Sequence, residues 1–75
     1  MAVADNMFER ALSLASSGTE RREAVEELLQ CCEQRRLPAV LAKQRVHAQL
    51  QDDSRDAHLE TAYGFLSDVV AQLPS

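Results

Sequence analysis

The sequence lacks the residues that usually reinforce a small protein from outside its core. Only two of its 75 residues are cysteines, and these, Cys31 and Cys32, are adjacent. Adjacent cysteines cannot join distant parts of one chain, so a disulfide framework is excluded. A structural zinc site needs four Cys or His ligands, typically as two spaced pairs, and the only histidines are His47 and His58. We therefore predict no metal site and no cofactor, and we expect so short a chain to be stabilised by association with another subunit.

The sequence is also poor in basic residues and in long apolar runs. Eight Lys and Arg face twelve Asp and Glu, which gives a net charge of −4 and opposes binding to nucleic acid phosphates or anionic membranes. No run approaches the roughly 20 apolar residues of a membrane span, and residues 1–6 lack the basic and apolar regions of a signal peptide. We expect no nucleic acid or membrane partner, and a cytoplasmic location, where free thiols stay reduced.

What the sequence does have is apolar residues at helical spacing from Asn6 nearly to its end. This pattern predicts an all-α fold with one domain over residues 1–75, of which residues 1–5 form a flexible N-terminus. The expected architecture is a small antiparallel bundle of three to four helices. The predicted helices cover about 6–16, 19–35, 38–51 and 54–73.

Turn and capping residues set these predicted boundaries. Gly18 suits the left-handed conformation that closes a helix, and Thr19 after it suits the cap of the next one. Pro38 is compatible with the first turn of a helix but not with its interior, which predicts a tight corner at 36–37. Asp53, with an acidic residue three positions later, resembles a capping box for the fourth helix.

The third and fourth predicted helices carry more apolar surface than one layer of packing requires. Leu41 lies nearly opposite the main stripe of the third helix, and the apolar arc of the fourth covers about 160°. This arc is covered either by the other helices of the domain or by a partner. Our hypothesis is that the excess forms a partner-binding surface made of Leu41, Tyr63, Phe65, Leu66, Val70 and Leu73.

A glycine inside the fourth helix is a second irregularity. Gly64 costs a helix about 1 kcal/mol relative to alanine, which indicates that another group approaches closely there. That group is either part of the second or third helix or a helix of a partner.

Three other functions are weighed against this hypothesis. A thiol sensor using Cys31 and Cys32 is an alternative, although Cys32 shares the apolar face of its helix and is predicted to be a core residue. A small DNA-binding transcription regulator or antitoxin-like protein is another, suggested by Lys43 and Arg45. An enzyme is not expected, because no set of acid, base and nucleophile is positioned to converge.

The sequence therefore predicts a non-enzymatic protein interaction module. Such a module would serve as an accessory, adaptor or chaperone-like subunit, either as a homodimer or within a hetero-complex.

Overall fold

The chain folds into four α-helices that pack against one another. The structure, a computed structural model, describes residues 3–53 and 55–74, with side chains from residue 5 onwards. These residues contain no β-strand, which confirms the all-α prediction. The helices are α1 (Val3–Ser17), α2 (Arg21–Cys32), α3 (Arg36–Asp52) and α4 (Ala57–Gln72).

Helix α1 begins earlier than predicted and ends as predicted. Residues 3–5 belong to the segment predicted to be flexible, yet they form the first turn of α1. Asp5 is therefore not a cap; its carboxylate lies 2.8 Å from Nη1 of Arg45 on α3, which ties this turn to the bundle. At the other end Gly18 has φ of 72°, which confirms the predicted left-handed closure.

The corner between α2 and α3 lies three residues before its predicted position. Glu33 and Gln34 both adopt positive φ, and the Arg35 amide donates to the carbonyl of Cys32 at 2.9 Å. The cause is Pro38, whose ring would clash with the carbonyl of residue 34 in a continuous helix. The helix must therefore be interrupted before Pro38. The interruption at residues 33–35 places Pro38 in the first turn of α3, as expected.

Two predicted helix caps are replaced by neighbouring residues. Glu20, not Thr19, occupies the cap of α2 and offers no side-chain hydrogen bond, while the Thr19 hydroxyl lies 2.6 Å from that of Ser17. Asp56, not Asp53, caps α4: its Oδ1 accepts from the amides of His58 at 2.9 Å and Leu59 at 3.3 Å. The predicted start of that helix, Ser54, lies outside the described residues.

The helices are arranged so that α1 and α4 form the centre of the bundle. Each of these two contacts all three other helices, whereas α2 and α3 lie on opposite sides and barely touch. An ion pair between Arg10 and Glu27 joins α1 to α2 across the surface. The fully buried large side chains that fill the core are Met7, Leu28, Leu66, Val46, Val69 and Cys32.

The wide apolar arc of α4 is explained by this arrangement. A helix that packs on one layer needs an arc of about 100°, and α4 packs on three neighbours. Its apolar residues are thus covered by α1, α2 and α3. The domain wraps its own fourth helix.

Candidate docking surface on helix three

The structure divides the six residues of the predicted binding surface into two groups. Phe65 and Leu66 are 2% and 0% exposed, and Val70 and Leu73 are each 8% exposed, so these four belong to the core. Leu41, on α3, is 46% exposed. Tyr63 is half-buried and packs against the edge of the core. A docking surface drawn from this set therefore retains Leu41 and Tyr63, together with the small exposed part of Val70 that lines a groove between α3 and α4, and loses Phe65, Leu66 and Leu73.

A residue that sequence analysis missed lies beside Leu41. Leu37 is 65% exposed, and it precedes Leu41 by about one helical turn. It escaped notice because it was assigned to a corner, where no helix face is defined. Since α3 begins at Arg36, Leu37 lies on the outward face of the helix. Among the described residues, Leu37 and Leu41 are the two large hydrophobic side chains that are exposed.

A groove between α3 and α4 has a volume of about 330 Å³, and its lining does not include the two leucines. At about 100° per residue, the lining residues Val40 and Gln44 are the ones nearest to the leucines around α3, so the groove and the leucines occupy adjacent faces of this helix. We call this the α3 surface: Leu37, Leu41 and the groove residues Arg36, Val40, Lys43, Gln44, His47, Tyr63 and Val70.

The single tyrosine of the chain organises the groove. The Lys43 ammonium lies 5.3 Å from the centroid of the Tyr63 ring, within cation–π range. The His47 ring lies 5.8 Å from it, tilted by 38°. Two side chains of α3 therefore contact the tyrosine of α4, whose ring lines the groove together with apolar and cationic residues.

The charge of this part of the chain is opposite to that of the remainder. Residues 34–51 contain four of the eight basic residues and none of the twelve acidic ones. The two charged side chains that line the groove, Arg36 and Lys43, are both basic. Arg45 has another role: it pairs with Asp5, and its guanidinium covers the ring of Phe8 at 4.1 Å. The α3 surface is therefore a cationic, partly apolar region of an acidic protein.

A larger cleft between α2 and α4 has a different character. Its volume is about 550 Å³, and Arg21, Arg22, Glu26 and Asp68 line it with charges of both signs. Arg21 Nε donates to Asp68 at 2.8 Å, and Arg22 lies 3.5 Å from Glu26. These charges pair with each other, so the cleft presents no net charge of one sign to a partner.

The same Arg21 is the group that approaches the glycine in α4. Its Nη2 donates to the carbonyl of Gly64 at 3.2 Å, and a Cβ at that position would lie 3.1 Å from its Nη1. The predicted close approach is therefore internal and comes from α2. The approaching group is the side chain of Arg21, the first residue of α2, and hydrophobic periodicity alone does not predict such a contact.

The two thiols differ strongly in their environment. Cys32 is 1% exposed, which confirms it as a core residue, and its Sγ lies 3.0 Å from Sδ of Met7. Burial, with a smaller contribution from neighbouring Cys31, raises the pKa of the Cys32 thiol from its ordinary 9.0 to about 11. Cys31 is partly exposed. Because the thiolate is the reactive form, this environment makes Cys32 inert.

We predict that alkylation will distinguish the two cysteines. At about pH 8, iodoacetamide should modify Cys31 in the folded protein and reach Cys32 only after unfolding. Mass spectrometry of Cys31→Ser should show no adduct under native conditions and one adduct in denaturant. Because the folded pKa is the higher one, stability contributed by the protonated thiol is complete below pH 9.0 and is lost as pH rises towards about 11. Rapid labelling of Cys32 in the folded protein would contradict this assignment and restore the thiol sensor.

The described residues offer few other sites for chemistry. Residues 3–53 and 55–74 contain no cluster of three or more His, Cys, Asp or Glu side chains able to hold a metal ion. Within the same residues, no helix has both the length and the apolar character needed to cross a bilayer. His47 and His58 are both exposed.

Comparison with protein-family models, with curated proteins and with solved structures finds no match for this chain.

Proposed function

We propose that this protein is a non-enzymatic interaction module that binds a protein partner through the α3 surface. The observation that carries the proposal is the exposure of Leu37 and Leu41, at 65% and 46%, in a chain that buries eighteen other hydrophobic residues. The fold does not need these two leucines. Large apolar side chains grouped beside a groove are typical of protein–protein binding sites.

The surface has the composition of a small binding hot spot. Fully burying an exposed leucine side chain contributes about 1.5–3 kcal/mol, and covering Leu37 and Leu41, which are 65% and 46% exposed, contributes roughly that fraction of it. The tyrosine supplies a rigid amphipathic ring on the same surface. The polar Gln44 and His47 and the cationic Lys43 surround these groups and provide the hydrogen-bonding rim of such sites. We therefore assign to Leu37, Leu41 and Tyr63 the role of anchors.

The proposal treats the protein as an accessory or adaptor subunit acting in the cytoplasm. Two unpaired cysteines suit a reducing compartment. The lining of the groove contains a histidine and a tyrosine but neither a thiol nor a carboxylate among the described residues. A partner that binds there gains contact area and charge complementarity.

The rival proposal is a DNA-binding regulator, which the basic segment 34–51 favours. A helix-turn-helix unit, however, packs its two helices against each other, and here α2 and α3 barely touch. Leu37 and Val40 also occupy the N-terminal turns of α3, where a recognition helix places polar side chains for base edges. DNA binding therefore ranks second.

Photo-crosslinking tests the proposed surface directly. A benzophenone amino acid at position 41 should form a specific covalent adduct with a partner in the native host. The matched control carries the same group at Gln30, an exposed position on α2. An adduct that appears at 41, is absent at 30, and disappears when Leu37→Asp is added supports the α3 surface. Equal adducts from both positions, or none from position 41, contradict it.

A further inference from the structure

We infer that the partner bound at the α3 surface is an acidic amphipathic α-helix from a different protein. This inference rests on the proposed function and adds the chemistry of the partner. It combines three features of one surface: its charge, its shape and its incompatibility with a second copy of itself.

Charge is the first feature. From Gln34 to Gln51 the chain has four cations and no anion, while the remainder has four cations and twelve anions. A chain with net charge −4 thus has half of its basic residues in or next to α3, although one of them, Arg45, is paired with Asp5. Arg36 and Lys43 border the groove itself. Interfaces gain specificity and association rate when potentials are complementary, so the partner should present carboxylates around an apolar stripe.

Shape is the second feature. The groove lies between two helices, α3 and α4, and the leucines lie about one turn apart along the exposed edge of α3 next to it. Helix α3 has 17 residues, which gives a length of about 25 Å. An amphipathic helix of similar length matches this edge, because its apolar residues recur every three or four positions.

A second copy of the chain fits poorly, and this is the third feature. A two-fold dimer formed by pairing α3 surfaces would use the same surface on both copies, so the cations Arg36 and Lys43 of one copy would face an equally cationic surface. Like charges brought together across an interface cost binding free energy. The structure therefore favours a hetero-complex over the homodimer for this surface.

Nucleic acids and anionic lipids also bind cationic surfaces, but neither fits this surface. A phosphate backbone offers no apolar group to cover Leu37 and Leu41. An anionic bilayer would cover them, but the surrounding twelve acidic residues oppose approach of any extended anionic surface. A narrow helix contacts only the cationic region, so it avoids that repulsion.

Two designed helical peptides of about 20 residues provide the test. Both carry leucine and phenylalanine at three- and four-residue spacing; in one the flanking residues are glutamate, and in the other they are lysine. Fluorescence anisotropy should show at least a tenfold preference for the glutamate peptide at about 50 mM salt, shrinking at about 500 mM. Lys43→Glu should remove that preference, whereas Arg55→Glu, an exposed position outside the α3 surface, should leave it unchanged.

The possible failures are distinguishable. If both peptides bind equally, or neither binds, the acidic-helix inference is wrong while crosslinking at position 41 is unaffected. If the glutamate peptide still binds to Leu37→Asp/Leu41→Asp, the site lies elsewhere and the proposed function is wrong as well. Tight binding to duplex DNA, or to vesicles containing anionic lipid, would show that the α3 surface binds that class of ligand instead of an acidic helix. Formation of a stable dimer by the chain alone, abolished by Leu41→Asp, would establish the second copy as the occupant.

Discussion

Replacing Leu66 by alanine should remove about 2–5 kcal/mol of folding free energy, the range measured when a buried leucine is truncated. Leu66 is 0% exposed and lies on α4, the helix that contacts all three others. Its removal leaves a cavity in the core of the bundle. A domain of 75 residues has a free energy of unfolding of about 4–11 kcal/mol, so this single substitution removes a large part of it.

Urea unfolding followed by circular dichroism measures this loss. The midpoint should fall sharply with little change in slope, because the same surface is exposed on unfolding. The matched control is Leu41→Ala, which deletes the same atoms from a side chain that is 46% exposed. Its midpoint should change little, since exposed substitutions usually alter stability by less than about 0.5 kcal/mol. Equal losses for the two variants would show that the assigned core is wrong.

The fold was largely predictable because its helices are delimited by local signals. Gly18 and Pro38 each prevent a helix from continuing, and their positions reveal two of the three connections. The predicted ends differ from the observed ones by a few residues, because competing caps are chemically equivalent in sequence. Asp53 and Asp56 are the same residue type, and only the three-dimensional path of the chain determines that Asp56 accepts the amides of α4.

The candidate site was predictable only in part, for a reason that concerns tertiary structure. Periodicity shows which residues share a stripe, but it does not show how many neighbours cover that stripe. Phe65 belongs to an arc that three helices enclose, whereas Leu41 lies where no helix of the chain reaches. Leu37 was missed because the corner was predicted at 36–37, three residues later than observed, which removed Leu37 from any helix face. Sequence analysis detected an apolar excess but placed most of it on α4, and the structure places the exposed part on α3.

Because Phe65 is buried and Leu41 is exposed, the substitution Phe65→Asp should act on folding rather than on partner binding. If Phe65 were a surface anchor, this substitution would abolish partner binding in a folded protein. Since Phe65 is 2% exposed, the substitution instead places a carboxylate within the core. The Arg21 guanidinium lies 5.9 Å from the centroid of the ring, but it is already paired with Asp68 and Gly64, so it offers incomplete compensation. An isolated buried charge costs several kcal/mol, and the variant should be largely unfolded.

Leu41→Asp provides the matched comparison, because it introduces the same carboxylate on the exposed face of α3. This variant should retain the helical circular dichroism and the urea midpoint of the wild type, while losing at least tenfold in affinity for the glutamate peptide. Phe65→Leu, which keeps the site apolar, should stay folded and should bind that peptide as the wild type does. The three variants thus separate core from surface by two independent readouts. A folded Phe65→Asp that has lost binding would return Phe65 to the interface and would require α4, rather than α3, to carry the docking surface.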